Sequence, residues 1–300
     1  MLQEQLRHNI SELLGDRARF QVPLKDLTTW KIGGPAWCVC SLHNQDEALE
    51  LFKLLREVDM ASMPLGNGSN LLFSERGYQG VLYSLQGTFQ EITFKDNLVI
   101  TGAGAQLGNL LSACAHNGLS GLEWAAAIPA TVGGAVAMNA GSVGEDIFTK
   151  LRSIKLLLPD CAIVELKADY FQASYRNGNL PRGALVLQVV FQLAQSSPHK
   201  IKDKIHNNVV LKKNHFPLNW PNAGSVFKNP EGDFAGRLIE QAGLKGKICG
   251  NAQISAVHAN FIVNLGNAKA DEVLELIRLA QTEVLNKYGI KLEPEVRIID

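Results

Sequence analysis

Neither charge predominates in this 300-residue chain. Lys plus Arg and Asp plus Glu number 29 each, so no net field draws nucleic acid or an anionic membrane. Cysteine is scarce and odd in number: Cys38, Cys40, Cys114, Cys161 and Cys249 include no C-x-x-C pair and no neighbouring His cluster. That argues against a disulfide framework or a zinc centre, and no metal site is expected. No apolar run free of charge and proline approaches the ~20 residues of a membrane span. The opening segment "MLQEQLRHNISELLGD" lacks the apolar core of a secretory signal. A soluble, cytoplasmic protein with no nucleic-acid or membrane partner is expected. Two nucleotide signatures are missing as well. There is no G-x-x-x-x-G-K-[ST] loop. The dinucleotide fingerprint fails in "NLVITGAGAQLGNLLSAC", because Leu107 follows Gly102 and Gly104 where glycine is required and Gly108 comes one residue late. A tight strand-to-helix turn is the better reading.

What is present is a mixed pattern. Leu2 to about Leu14 reads as a helix closed by Gly15, and "DEALELFKLLREV" as a second. A β-rich stretch follows, with "GVLYSL", "FQEITFK", "NLVITGAG", "SIKLLLPD", "AIVELK" and "ALVLQVVFQLA" bounded by turn residues and interrupted by one helix, "LGNLLSACAHNG". Beyond about Ser197 come a basic helix, "HKIKDKIHNNVVLKKN", the helix "FAGRLIEQAG", a strand "NFIVNLG" and a long amphipathic helix. That last helix places Val273, Leu276, Ile277, Ala280 and Val284 on one face and stops at Gly289. An α+β nucleotide-binding region to about residue 197 with a smaller α/β cap beyond it is the expected plan.

Two glycine-bearing stretches carry the functional question. In "GNGSNLL", residues 66–72, glycine frees φ and Asn tolerates the left-handed region, so successive N–H groups can converge on an anion. An ordinary turn has the same composition. In "IPATVGGAVAMNAG", residues 128–141, nearly every side chain is small, as it must be where a flat ligand lies on main chain. Close packing of helix and sheet selects the same residues.

The segments "LTTWKIGGPA" (27–36), "GNGSNLL", "GLEWAAAIPATVGGAVAMNAG" (121–141), "SYR" (174–176), "AGSVFKNP" (223–230), "LIEQAGLKG" (238–246), "AQISAVHANFIVN" (252–264) and "LEPEVRII" (292–299) occur in this order. Together they resemble the UDP-N-acetylenolpyruvoylglucosamine reductases of bacterial cell-wall synthesis, and the likeness covers nearly the whole chain. The short interval from Arg176 to Ser225 is similar to the subclass without an inserted tyrosine loop.

The resemblance implies an α+β fold: a two-lobed FAD-binding domain of the vanillyl-alcohol-oxidase/p-cresol-methylhydroxylase type (residues 1–70 and 71–197), and a C-terminal α/β substrate domain (198–300) whose last segment returns to the active site. It implies bound FAD, NADPH as reductant, a UDP-sugar substrate and, we expect, a monomer. Gly66, Asn67, Gly68, Ser69, Asn70, Leu71, Ile128, Thr131, Gly133, Gly134, Asn139 and Gly141 would flank the cofactor, the 128–141 stretch presenting N–H groups to it, with Arg297 on the flavin side. Tyr175, Lys213, Asn229 and Gln253 match positions that hold the substrate.

The implied reaction is reduction of an enolpyruvyl ether. Hydride reaches the methylene carbon, and negative charge develops at the carbon bearing the carboxylate. Arg176 would meet that carboxylate with a permanently charged fork. Glu295 would stabilise the charge as a donor, which requires it to be protonated and its pKa raised by burial. Ser225 would protonate the carbanion. Read alone, these three are a strand-end arginine, a solvated glutamate and a turn serine. Lys228 reads as structural or peripheral, and His258 and Asn260 as ordinary hydrogen-bonding residues.

Three departures from the family stand out: Ala130 where glycine is usual, "SYRNG" in place of a glycine before the tyrosine and a serine after the arginine, and Phe216 at a polar position. Two other readings compete. One is a flavin oxidase of the same superfamily acting on a small alcohol or phenol, although the small-residue stretches offer no His or Cys to tether FAD. The other is a non-catalytic FAD- or UDP-sugar-binding protein, which would have no use for Arg176, Ser225 and Glu295.

Overall fold

The computed structural model describes residues 2–300 and divides them into two compact units. The first comprises residues up to Phe20, Cys38–Gly66 and Gly80–Val210; the second comprises Gln21–Trp37, Asn67–Gln79 and Leu211–Asp300. The chain thus enters the second unit three times.

The first unit is built on a five-stranded antiparallel sheet in the order Ile163–Lys167, Leu151–Leu157, Leu185–Gln192, Leu98–Gly102, Ile92–Lys95. β-Branched and aromatic residues such as Val99, Ile154, Val189 and Phe191 fill its buried positions and pack with Leu107, Leu110 and Leu111 of the helix Leu107–His116. The same core takes in Val132, Ala135 and Val136, which lie on a second, short helix, Val132–Ala137. The sequence reading placed a single helix in this region. Two adjacent glycines lower helix propensity enough to hide the other, which tertiary packing and the Thr131 cap on the Gly134 N–H stabilise. Asn44 caps the helix Gln45–Glu57 by accepting the Glu47 N–H.

In the second unit, the antiparallel strands Ile248–Cys249, Ala252–Ile254 and Ile262–Asn264 share a core with the long helix Ala270–Tyr288. The predicted apolar face, Val273, Leu276, Ile277, Ala280 and Val284, is the buried one, and Gly289 ends the helix with φ at +68°. Glu75 and Glu272 accept N–H groups at the start of this helix, from Ala270 and Lys269. Trp30 is fully buried and locked from both sides: its indole N–H donates to the Ile262 carbonyl at 2.8 Å, and the Asn264 amide donates to the Trp30 carbonyl at 2.9 Å. Finally, Leu71–Phe73 pairs in parallel with Arg297–Ile299, tying the 66–72 loop to the C-terminal segment. Among the described residues, no helix is long and apolar enough to cross a membrane.

Candidate functional site

The 66–72 loop presents consecutive main-chain donors. Gly68 has φ of +60° and lies against the Leu27 and Thr28 backbone, where any Cβ would collide, so both conformation and space call for glycine. Its own carbonyl is used by the Thr29 N–H at 3.3 Å. Among the described residues, the N–H groups of Gly68, Ser69 and Asn70 donate to no protein acceptor, nor does the Ser69 hydroxyl. Three consecutive unspent donors on a loop held by its carbonyl side suit a phosphate or pyrophosphate, so this loop fits the diphosphate of FAD. Gly66, in the first unit, is small for a different reason: a Cβ there would stand 2.8 Å from the Thr131 hydroxyl.

The 128–141 stretch departs from expectation. Most of its main-chain donors are already used within the first unit: Val132 N–H to the Ala105 carbonyl, Gly133 N–H to the Ala103 carbonyl, both at 2.8 Å, and Gly134 N–H to the Thr131 hydroxyl. Ile128, Ala130, Ala135, Asn139 and Ala140 N–H groups are likewise spent. Gly133 is small because a Cβ would press on Ala103 at 3.0 Å, and Gly141 because the Glu145 carbonyl lies 2.6 Å from such an atom. Close packing therefore accounts for these two positions. What the stretch leaves open is the exposed surface of Gly134 and Ala137 and one buried orphan acceptor, Asn139 Oδ1. Apolar smallness with a lone acceptor fits a flat heteroaromatic ring that carries an N–H. Ala130 is not among the residues with positive φ, so alanine fits where the family has glycine.

The same stretch has a second role: it docks the arginine-bearing turn. Ser174 and Asn177 exchange both backbone hydrogen bonds, at 2.9 and 3.0 Å, leaving Tyr175 and Arg176 at the tip of a two-residue turn. Arg176 consequently sits at φ of +58°, a conformation that disfavours L side chains. Three contacts hold it there. The Asn139 amide donates to the Ser174 carbonyl at 3.0 Å, the Gly178 N–H to the Ala137 carbonyl at 3.1 Å, and Arg176 Nη1 to the Gly141 carbonyl at 3.0 Å. The guanidinium also stacks over the exposed Tyr175 ring, 5.0 Å from its centroid.

The segments that carry Ser225 and Glu295 meet in the second unit in a short antiparallel pairing. The Glu295 N–H donates to the Val226 carbonyl at 2.7 Å, the Lys228 N–H to the Glu293 carbonyl at 2.9 Å, and Phe227 faces Pro294. Lys228 pairs with Glu293 across it, consistent with its structural reading. Both Ser225 and Glu295 are half-buried. Asn260 carries the segment, bonding the main chain of Val226 and Phe227.

The remaining expected residues are spread through the second unit apart from Tyr175. Arg297 is exposed on its strand, and its N–H donates to the Asn70 carbonyl at 3.0 Å. Asn229 accepts the Ala235 N–H, and the Gln253 amide donates to the Gly246 carbonyl, so each has one polar group committed to the fold. Lys213 is exposed near the end of the basic helix, whereas burial pushes its neighbour Lys212 down to about 8. Phe216 has joined an aromatic cluster, stacked on Phe261 at 5.0 Å and edge-on to His258 at 5.4 Å. The hydrogen bonds by which Asn70, Asn139 and Asn260 brace distant main chain are not legible in the sequence. No local signal marks them, because each acts on a distant segment.

Known proteins align with this chain along almost its whole length. Residues 36–167 match the FAD binding domain family, and residues 216–299 match the C-terminal domain of UDP-N-acetylenolpyruvoylglucosamine reductase. The UDP-N-acetylenolpyruvoylglucosamine reductase of Halalkalibacterium halodurans is 39% identical over 298 residues, covering 99% of both chains. A second such reductase, from Symbiobacterium thermophilum, is 40% identical over 283 residues, covering 94% of this chain and 92% of its own. The crystal structure of UDP-N-acetylenolpyruvylglucosamine reductase from Thermus caldophilus superposes with a TM-score of 0.82 at 36% identity, covering 94% of this chain and all of that one. Identity at this level over both matched regions leaves one assignment: the chain belongs to the UDP-N-acetylenolpyruvoylglucosamine reductase family.

Proposed function

We propose that the protein uses NADPH and bound FAD to reduce the enolpyruvyl ether of UDP-N-acetylglucosamine to UDP-N-acetylmuramate, a step of peptidoglycan synthesis, as a cytoplasmic monomer. The FAD-binding and C-terminal reductase matches support the activity and cofactor. When bound, FAD supplies the hydride that it has taken from NADPH.

The protein's own groups bind and neutralise. Gly68, Ser69 and Asn70 offer N–H donors to the cofactor diphosphate, with Gly66, Asn67 and Leu71 shaping the loop. Asn139 Oδ1 offers a buried acceptor to the ring, and Ile128, Thr131, Gly133, Gly134 and Gly141 supply a thin wall. Arg176 meets the substrate carboxylate, where charge accumulates as the double bond is reduced. Protonated Glu295 donates a hydrogen bond to the same developing charge. Ser225 delivers the proton to the carbon bearing the carboxylate. Tyr175, Lys213, Asn229 and Gln253 hold the UDP-sugar, and Arg297 lies on the flavin side. In this reading residues 1–70 and 71–197 are the lobes serving FAD, and 198–300 the substrate domain.

The observation that carries this reading is the zipper joining the Ser225 and Glu295 segments, itself attached through Leu71–Phe73 to the loop with three unspent donors. An anaerobic titration tests it. NADPH should bleach the flavin absorbance, and the enolpyruvyl UDP-sugar should restore it stoichiometrically. Rapid restoration by air with no response to that substrate would instead establish an oxidase.

A further inference from the structure

The Asn70 side chain does not point its amide at the donor nest. Nδ2 donates to the Glu295 main-chain carbonyl at 3.2 Å, and the Asn70 carbonyl accepts the Arg297 N–H at 3.0 Å. One residue thus holds both sides of the Glu295–Arg297 segment, and the parallel pairing of Leu71–Phe73 with Arg297–Ile299 continues directly from it. The other side of that segment is fixed by the Glu295 N–H on the Val226 carbonyl. Glu295 therefore has its main chain pinned at both its N–H and its carbonyl.

We propose that Asn70 is a positioning residue for Glu295, setting its carboxyl group through the main chain rather than serving FAD through its side chain. This rests on the reading that Glu295 stabilises charge in the reaction. The main-chain N–H of Asn70 remains in the nest. The same residue consequently couples cofactor loop and acid: displacement of the loop displaces Glu295. A carboxamide suits this post because it donates to a carbonyl at short reach. Aspartate has the same shape but would set an acceptor against that carbonyl.

The test uses the FAD-loaded full chain and separates the two half-reactions by stopped flow. Asn70→Ala and Asn70→Asp should each retain flavin absorbance. Reduction by NADPH should fall at most about twofold, while reoxidation by the enolpyruvyl UDP-sugar should fall about tenfold, the size of one lost net hydrogen bond. The pH at which reoxidation declines should shift as well, which a merely structural defect would not produce. In a Glu295→Gln background the same Asn70 changes should cost less than about twofold. An additive loss in the double variant, or equal loss in both half-reactions with release of FAD, overturns the positioning role while leaving Glu295 in place. Native-rate reoxidation by Glu295→Gln alone overturns the role of Glu295 and this proposal with it. If Asn70→Ala does not fold, Asn70→Asp, which preserves volume, gives the same readings.

Discussion

Asn260 grips Phe227 by both of its peptide groups: Oδ1 accepts the N–H at 2.9 Å and Nδ2 donates to the carbonyl at 2.8 Å. All four atoms are buried against the core of the second unit, two residues from Ser225. Asn260→Ala would leave a buried donor and a buried acceptor without partners, at about 2–4 kcal/mol in all. Asn260→Asp keeps the acceptor but sets a buried carboxylate oxygen against the Phe227 carbonyl, so it should lose at least as much. Urea denaturation midpoints of the three proteins measure this, and identical midpoints would remove the side chain from the account.

Gly178 lies where a Cβ would overlap the Val136 carbonyl oxygen. Gly178→Ala must therefore push the Ser174–Asn177 turn off its seat and draw Arg176 away from the Gly141 carbonyl. Reoxidation by the enolpyruvyl substrate should fall by about tenfold or more, while reduction by NADPH changes little, since misplacement by an ångström is costly to chemistry. Stopped-flow measurement of both half-reactions decides. An unaltered reoxidation rate would mean that Arg176 does not depend on this seat.

Ser225→Ala should bind FAD and accept electrons from NADPH at the native rate. Its reoxidation should drop by about 10²–10⁴, as for removal of a positioned acid. Normal turnover in this variant would take the hydroxyl out of the mechanism.

Burial among Phe216 and Phe261, reinforced by Lys245, holds His258 below its ordinary 6.5, although Glu240 opposes the shift. A base with a lowered folded-state pKa is protonated first in the unfolded chain. The neutral ring's contribution is then present above about pH 6.5 and is lost progressively as the pH falls below it. Thermal melting between pH 5 and 8 should show this decline, and His258→Gln should flatten it. A melting curve equally steep in the variant would assign the decline to other groups.

The sequence made some of this visible and not the rest, for physical reasons. The Ala270–Tyr288 helix was legible because its buried face repeats at helical spacing and a glycine terminates it. The Gly68–Asn70 loop was legible as a possible nest because backbone freedom is written in residue type. Whether the 128–141 stretch offered its N–H groups could not be read there, since packing against Ala103 and packing against a ligand select the same small residues. Asn70 with Glu295 spans 225 residues and Asn260 with Phe227 spans 33, distances at which no local pattern operates. The Arg176 turn was hidden by a residue type that ordinarily avoids positive φ.

The reciprocal lock on Trp30 bears on how this protein can be taken apart. A fragment beginning near residue 211 would contain the entire C-terminal family match, yet it would lack the indole around which its core is arranged. Ile262 and Asn264 would be left reaching for hydrogen bonds into an empty slot. Such a fragment should be swollen and dye-binding, and a synthetic peptide of residues 21–37 should tighten it as a missing wedge restores an arch.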